Sequence, residues 1–184
     1  YNQAIMDFGA TVCTPKAALC TECPLADSCG ALSEGRVEQL PVKSHKTQVT
    51  DRFFHYILVR RGEHFLLHQR KENDIWRNLY EVPLVEVIDR LLNENQLIEN
   101  KDYLTLRQLF TDADDAVLRL LRHQTIHQLS HRRIHAQFLA LESNKEELPV
   151  PPSGYLWVHR SKLDDYAVSR LVSMLFEDFF QNLD

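Results

Sequence analysis

The chain of 184 residues is poor in several things at once. It has 5 Gly and 2 Met, and its 4 Cys all fall before residue 30. With no Cys after Cys29, no disulfide framework can span the chain. So little Gly, with no repeat, excludes a collagen-like or Gly-rich linker protein. No run approaches the ~18 apolar residues that cross a bilayer. The opening YNQAIMDFGATVC lacks the basic and long apolar stretches of a signal peptide. It starts at Tyr rather than Met, so a piece of a longer protein is expected. A basic excess is also missing: 21 Lys+Arg face 26 Asp+Glu, for a net charge of −5.

What is present is a globular composition, 44% hydrophobic and 26% charged, enough to bury a core. The charge lies in blocks. Residues 36–71 and 117–135 are basic, and the second block has no acidic side chain and four His. Residues 72–116 are strongly acidic. Two confined basic stretches let an acidic protein bind a polyanion, because the local field outweighs the total.

Cys13, Cys20, Cys23 and Cys29 follow the spacing C-x6-C-x2-C-x5-C. Without a secretion signal, four clustered thiols read as a metal site. Two metals compete. Zinc sites use two tight knuckles set apart, whereas only Cys20 and Cys23 form such a pair here. One loop wrapped round a larger object, a [4Fe–4S] cluster on four thiolates, suits the layout better. The spacing leaves both open.

Beyond the cysteines, Gly30 to Thr50 has no sustained apolar periodicity and reads as a linker. Residues 52–59 and 64–70 predict a hairpin around Arg61-Gly62-Glu63. Residues 76–83 turn into another strand. Helices are expected over 88–96 and 103–110, and over 113–121 with Thr111-Asp112 as its cap. Two strands flanking Ser130-His131 fill 126–141, and 154–159 is a short strand. Apolar pairs from 167 to 180 give a C-terminal amphipathic helix. The second part is thus an α+β domain.

His123, His127, His131 and His135 recur every four residues, which on one helix would make a metal face. Leu129, Ser130 and Arg132-Arg133 interrupt any such helix, so a metal there is not expected.

The cysteine spacing after Asn2–Cys13, with Pro15 and Pro24 beside it, resembles the cluster loop of the endonuclease III superfamily of helix-hairpin-helix DNA glycosylases. It is most similar to the adenine DNA glycosylases of the MutY family. Asp74-Ile75-Trp76-Arg77-Asn78-Leu79-Tyr80-Glu81-Val82-Pro83 resembles that family's DIWxGLYEFP motif, with Asn78 where Gly is usual. Asn tolerates the φ > 0 that Gly would serve.

The resemblance implies three segments: 1–30, the end of a glycosylase domain with a [4Fe–4S] loop; 31–50, a linker; and 51–184, a Nudix-like (MutT-like) domain. Nudix hydrolases hold Mg²⁺ on an R-E-x-x-E-E helix, and residues 84–98 offer only Glu86, Asp89 and Glu94. The fold is therefore expected without that metal site. The family's Phe-Ser-His loop, which contacts the 8-oxoguanine strand, corresponds here to Leu129-Ser130-His131.

The resemblance also implies DNA with 8-oxoguanine opposite adenine as partner. Phosphate contacts are expected from Lys16, Lys43, Lys46, Arg132 and Arg133; Lys16 is the only basic residue between the first two cysteines. The family's catalytic Glu and Asp precede the cysteines, so no catalytic residue is assigned in this chain. A cytoplasmic, nucleoid-associated monomer is expected, with no membrane partner. The alternative is a zinc-bearing Nudix-like nucleotide hydrolase.

Overall fold

The computed structural model describes residues 1–42, 48–110, 116–143, 145 and 147–182, apart from the side chains of 109 and 110. The chain forms two compact units, Tyr1–Thr47 and Gln48–Asp184.

In the first unit, α1 (Asn2–Thr11) leads into the cysteine loop, and α2 (Gly30–Ser33) follows Cys29. The expected linker is more ordered than its sequence suggests. Residues 30–42 hold α2 and a 3₁₀ turn at Val37–Gln39, and they belong to this unit. Leu32, Val37 and Leu40 have no regular period because they serve short turns against the cysteine loop. None of the unit's described residues is fully buried.

The second unit is built on a seven-stranded mixed sheet. Its strands are β1 (Thr50–Arg61), β2 (His64–Gln69), β3 (Tyr80–Glu81), β4 (Leu84–Val87), β5 (Val117–Gln128), β6 (Arg132–Ser143) and β7 (Tyr155–His159). The helices are α3 (Glu94–Ile98), α4 (Lys101–Phe110) and α5 (Arg170–Gln181). The strand order runs β3-β2-β1-β6-β5, with β4 also on β1 and β7 on β2. β1 and β6 are parallel over their full lengths, from Thr50↔Arg132 to Arg61↔Ser143.

These two strands are covered on both faces, which is why both read as near-continuous apolar runs. Phe54, Tyr56, Leu58, Ile134, Ala136 and Phe138 face one core, closed by Leu171, Val172, Leu175 and Phe179 of α5. Ile57, Val59, Leu139 and Leu141 face a second core with Leu97 and Tyr103 of the other helices. Ser169 caps α5 by accepting from the Val172 N–H.

Two helix boundaries differ from expectation. Residues 88–93 are not helical, and α3 starts only at Glu94. Asn93 and Gln96 form a reciprocal capping box that fixes this start. Residues 117–121 lie in β5 rather than a helix, paired antiparallel with β6. Leu118 and Leu120 pack against the second core and Leu121 against the first, so sheet burial overrides the local helical pattern. The expected cap at Thr111-Asp112 lies outside the described residues.

Candidate functional site

The first unit brings the four cysteines onto one concavity. The Leu19 N–H donates to the Val12 carbonyl at 2.9 Å and closes the loop that starts at Cys13. Successive tight turns then join Cys23 to Cys20, Ala26 to Cys23, and Cys29 to Ala26. All four thiols are free of disulfides. They line a cavity of about 480 Å³, otherwise apolar, with Ile5, Phe8, Val12 and Leu19 among its walls. Among the described residues, no three His, Cys, Asp or Glu side chains converge closely enough to hold a single metal ion. Lys16 stands exposed on the loop. Lys43 and Lys46 lie outside the described residues.

In the second unit, β5 and β6 are joined by the three-residue turn Leu129–His131. The Leu129 N–H donates to the Arg132 carbonyl at 2.8 Å. The His131 carbonyl accepts from the Thr50 N–H at 3.1 Å, which ties the turn to the start of β1. Leu129 is half-buried against the first core and anchors the turn, while Ser130 and His131 are exposed at its tip. Arg133 is exposed beside them; its Nε donates to Gln128 at 3.0 Å.

The four regularly spaced histidines occupy two strands and a turn, each in its own surroundings. The His127 ring lies 5.8 Å from Trp76. The His135 ring stacks on Phe53 at 4.8 Å, with Nε2 at 2.7 Å from Asp51.

Arg132 is differently placed. Its Nη1 donates to Asp74 Oδ1 at 2.6 Å. The other oxygen of Asp74 accepts from Arg52 at 2.6 Å and from Arg70 at 3.0 Å. Arg52 also grips Glu86 with two 2.6 Å bonds, and Arg70 grips Glu81 at 2.7 and 2.9 Å. Burial tends to raise the Asp74 carboxyl, but its bonds to Arg52 and the backbone, with the charges of Arg52 and Arg132, hold it below the usual carboxylate range. Sequence reasoning missed this network, whose members span 80 positions. The one local signal was that Asp74 opens the DIWRN motif.

Asn78, at the position where Gly is usual, has φ +70°, so it fills the left-handed conformation the motif requires. Trp76 also has a positive φ, of 58°, which is uncommon for a bulky side chain. Arg52, Arg70, Glu72, Asp74, Glu81 and Glu86 line a cleft of about 430 Å³, in which Asp74, Glu81 and Glu86 are engaged by arginine.

Residues 55–178, well over half of the chain, match the NUDIX domain family. Adenine DNA glycosylase of Buchnera aphidicola subsp. Schizaphis graminum (strain Sg) is 34% identical over 83 residues, 45% of this chain and 24% of the relative. Adenine DNA glycosylase of Mus musculus is 24% identical over 219 residues, 96% of this chain and 42% of the relative. The chain thus spans only a quarter to under half the length of these relatives. Among solved structures, the C-terminal domain of mouse MUTYH, crystallised in complex with human PCNA, aligns with a TM-score of 0.55 at 20% identity, covering 71% of this chain and 88% of that one. At that identity the likeness establishes the Nudix-like α+β fold. The chain belongs to the NUDIX domain family, and the relatives it matches in sequence are adenine DNA glycosylases of the MutY type.

Proposed function

We propose that this chain is the cluster-bearing and lesion-recognising part of an adenine DNA glycosylase, a base-excision repair enzyme that removes adenine mispaired with 8-oxoguanine. The observation that carries this reading is the turn between β5 and β6. Ser130 and His131 project at its tip, Leu129 is rooted in the core, and Arg133 stands alongside.

8-Oxoguanine differs from guanine by an O8 carbonyl and a protonated N7. The Ser130 hydroxyl can donate to the one and accept from the other by rotating. A polar site matched to one base leaves groups unpaired with the other, so discrimination can be large. Arg133 and Lys16 are exposed where they could meet phosphates, which position the protein without reading sequence, though Arg133 would first have to leave Gln128 and the long ion pair with Asp51.

Cys13, Cys20, Cys23 and Cys29 fit a [4Fe–4S] cluster. Four free thiols line one otherwise apolar cavity, the donor set such a cluster would use. Bound there, the cluster would cross-link a unit in which no described residue is fully buried. The chain itself performs no excision in this reading, because no acid–carboxylate pair for sugar chemistry is assigned to it.

The hydrolase alternative is disfavoured by the cleft chemistry. Mg²⁺ needs several carboxylates free to coordinate it, and of the four that line the cleft Asp74, Glu81 and Glu86 are held by arginines, which leaves Glu72.

The test has two parts. Anaerobically purified protein is expected to contain about four irons with matching sulfide; stoichiometric zinc without sulfide would reject the cluster. Single-turnover assays on a duplex with 8-oxoguanine opposite adenine are expected to show binding without base release. Clear release would overturn the division of labour.

A further inference from the structure

Three arginines from distant parts of the chain meet on the Asp74 carboxylate. Two of them have a second carboxylate: Arg52 has Glu86 and Arg70 has Glu81. Their side chains are only 17% and 11% exposed, and Arg52 also lies over the Phe54 ring at 4.8 Å. Asp74 is therefore fixed from the core side.

Arg132 is the dependent member. It is 38% exposed, and among the described residues Asp74 is its only carboxylate partner. It is also the residue immediately after the turn, and its carbonyl accepts the Leu129 N–H that closes the turn. A guanidinium clamped at this position fixes the turn at its base.

We propose that Asp74 is the positioning residue of the Leu129–His131 turn, holding Arg132 so that Ser130 and His131 are presented in one orientation. The role in recognition rests on the reading of that turn as the lesion contact. Arg132 is then a strut rather than a phosphate ligand. Asp74 thereby also keeps a cation beside the turn out of the DNA field.

The two functions of the carboxylate predict opposite movements in one variant. Asp74→Asn keeps the shape but removes the charge that holds Arg132. Released, the turn should discriminate less between 8-oxoguanine and guanine opposite adenine, by about 3- to 10-fold, the size of one ordinary hydrogen bond to the base. The freed guanidinium should at the same time strengthen binding to undamaged duplex and steepen the slope of log K against log salt by about 0.9. A general loss of stability would weaken both.

The experiment uses the whole chain. It measures amide exchange at Leu129 relative to the core amide of Leu58, together with affinity for the two duplexes across salt. The expected result is faster exchange at Leu129 with Leu58 unchanged, reduced discrimination and a steeper slope. Arg132→Gln, at a more exposed position, should give the same exchange and the same loss of discrimination without the steeper slope, and it serves if Asp74→Asn does not fold. Wild-type exchange at Leu129 in a folded Arg132→Gln or Asp74→Asn protein would overturn the proposal. Faster exchange in both variants, with wild-type protein that does not distinguish the duplexes, would uphold the positioning role and reject the lesion reading beneath it.

Discussion

Ser130 and His131 carry the recognition argument, and their effect should be separable from that of their basic neighbour. Replacing both by Ala should cost about 0.5–1.5 kcal/mol per hydrogen bond lost to 8-oxoguanine, read as weaker preference over guanine in equilibrium binding. Arg133→Gln should instead weaken both duplexes alike and reduce the salt slope by about 0.9. His55 makes a different kind of prediction. It is fully buried; Nε2 accepts from the Leu92 N–H at 2.9 Å, and the other ring nitrogen faces the Val85 carbonyl at 3.3 Å. Burial depresses its pKa below the ordinary 6.5. The unfolded chain therefore takes up a proton that the folded chain refuses, so this contribution is intact above pH 6.5. It declines as pH falls toward the lower folded value, by at most about 1.4 kcal/mol per pH unit. Denaturant titrations of wild type and His55→Phe should show a smaller slope between pH 6.5 and 5 in the variant. An equal slope would mean other groups set the acid limit.

Elements differ in how plainly the sequence announces them. β1, β2 and α5 are legible because their patterns are strong: apolar runs of Phe, Tyr, Ile and Val, and paired apolar residues at helical spacing. β5 is legible only at its end, residues 126–128. Val117–Leu121 carries a leucine-rich segment that reads as helix in isolation, and only its pairing with β6 makes it strand. The capping box at Asn93 was present in the sequence as N-x-x-Q, but the preceding apolar residues drew the expected helix start too early. The turn tip was located by motif resemblance, whereas the Asp74 network depends on tertiary contacts that no local pattern encodes. α5 carries much of the first core. Leu175→Ala, at a site with no exposure, should cost about 2–5 kcal/mol in chemical unfolding. A loss below 1 kcal/mol would mean that the helix is not a principal lid of that core.

At the scale of the whole molecule, the two units rest on different physics. The Gln48–Asp184 unit has two cores on opposite faces of one sheet and should unfold cooperatively. The Tyr1–Thr47 unit has no fully buried residue among its described residues, and its stability is expected to depend on what the four thiols hold. Iron chelation should therefore raise amide exchange throughout residues 1–42 while leaving β1 and β6 protected. Unchanged protection of the cysteine loop would contradict a stabilising role for the proposed cluster. The central claim is that this chain reads the damaged strand. Its most direct test is equilibrium binding of the intact chain to two duplexes that differ only in 8-oxoguanine or guanine opposite adenine, at one salt concentration. The account predicts tighter binding to the 8-oxoguanine duplex, with the difference abolished in the Ser130→Ala/His131→Ala protein. Equal affinity for the two duplexes, or a preference that survives the double substitution, would contradict it.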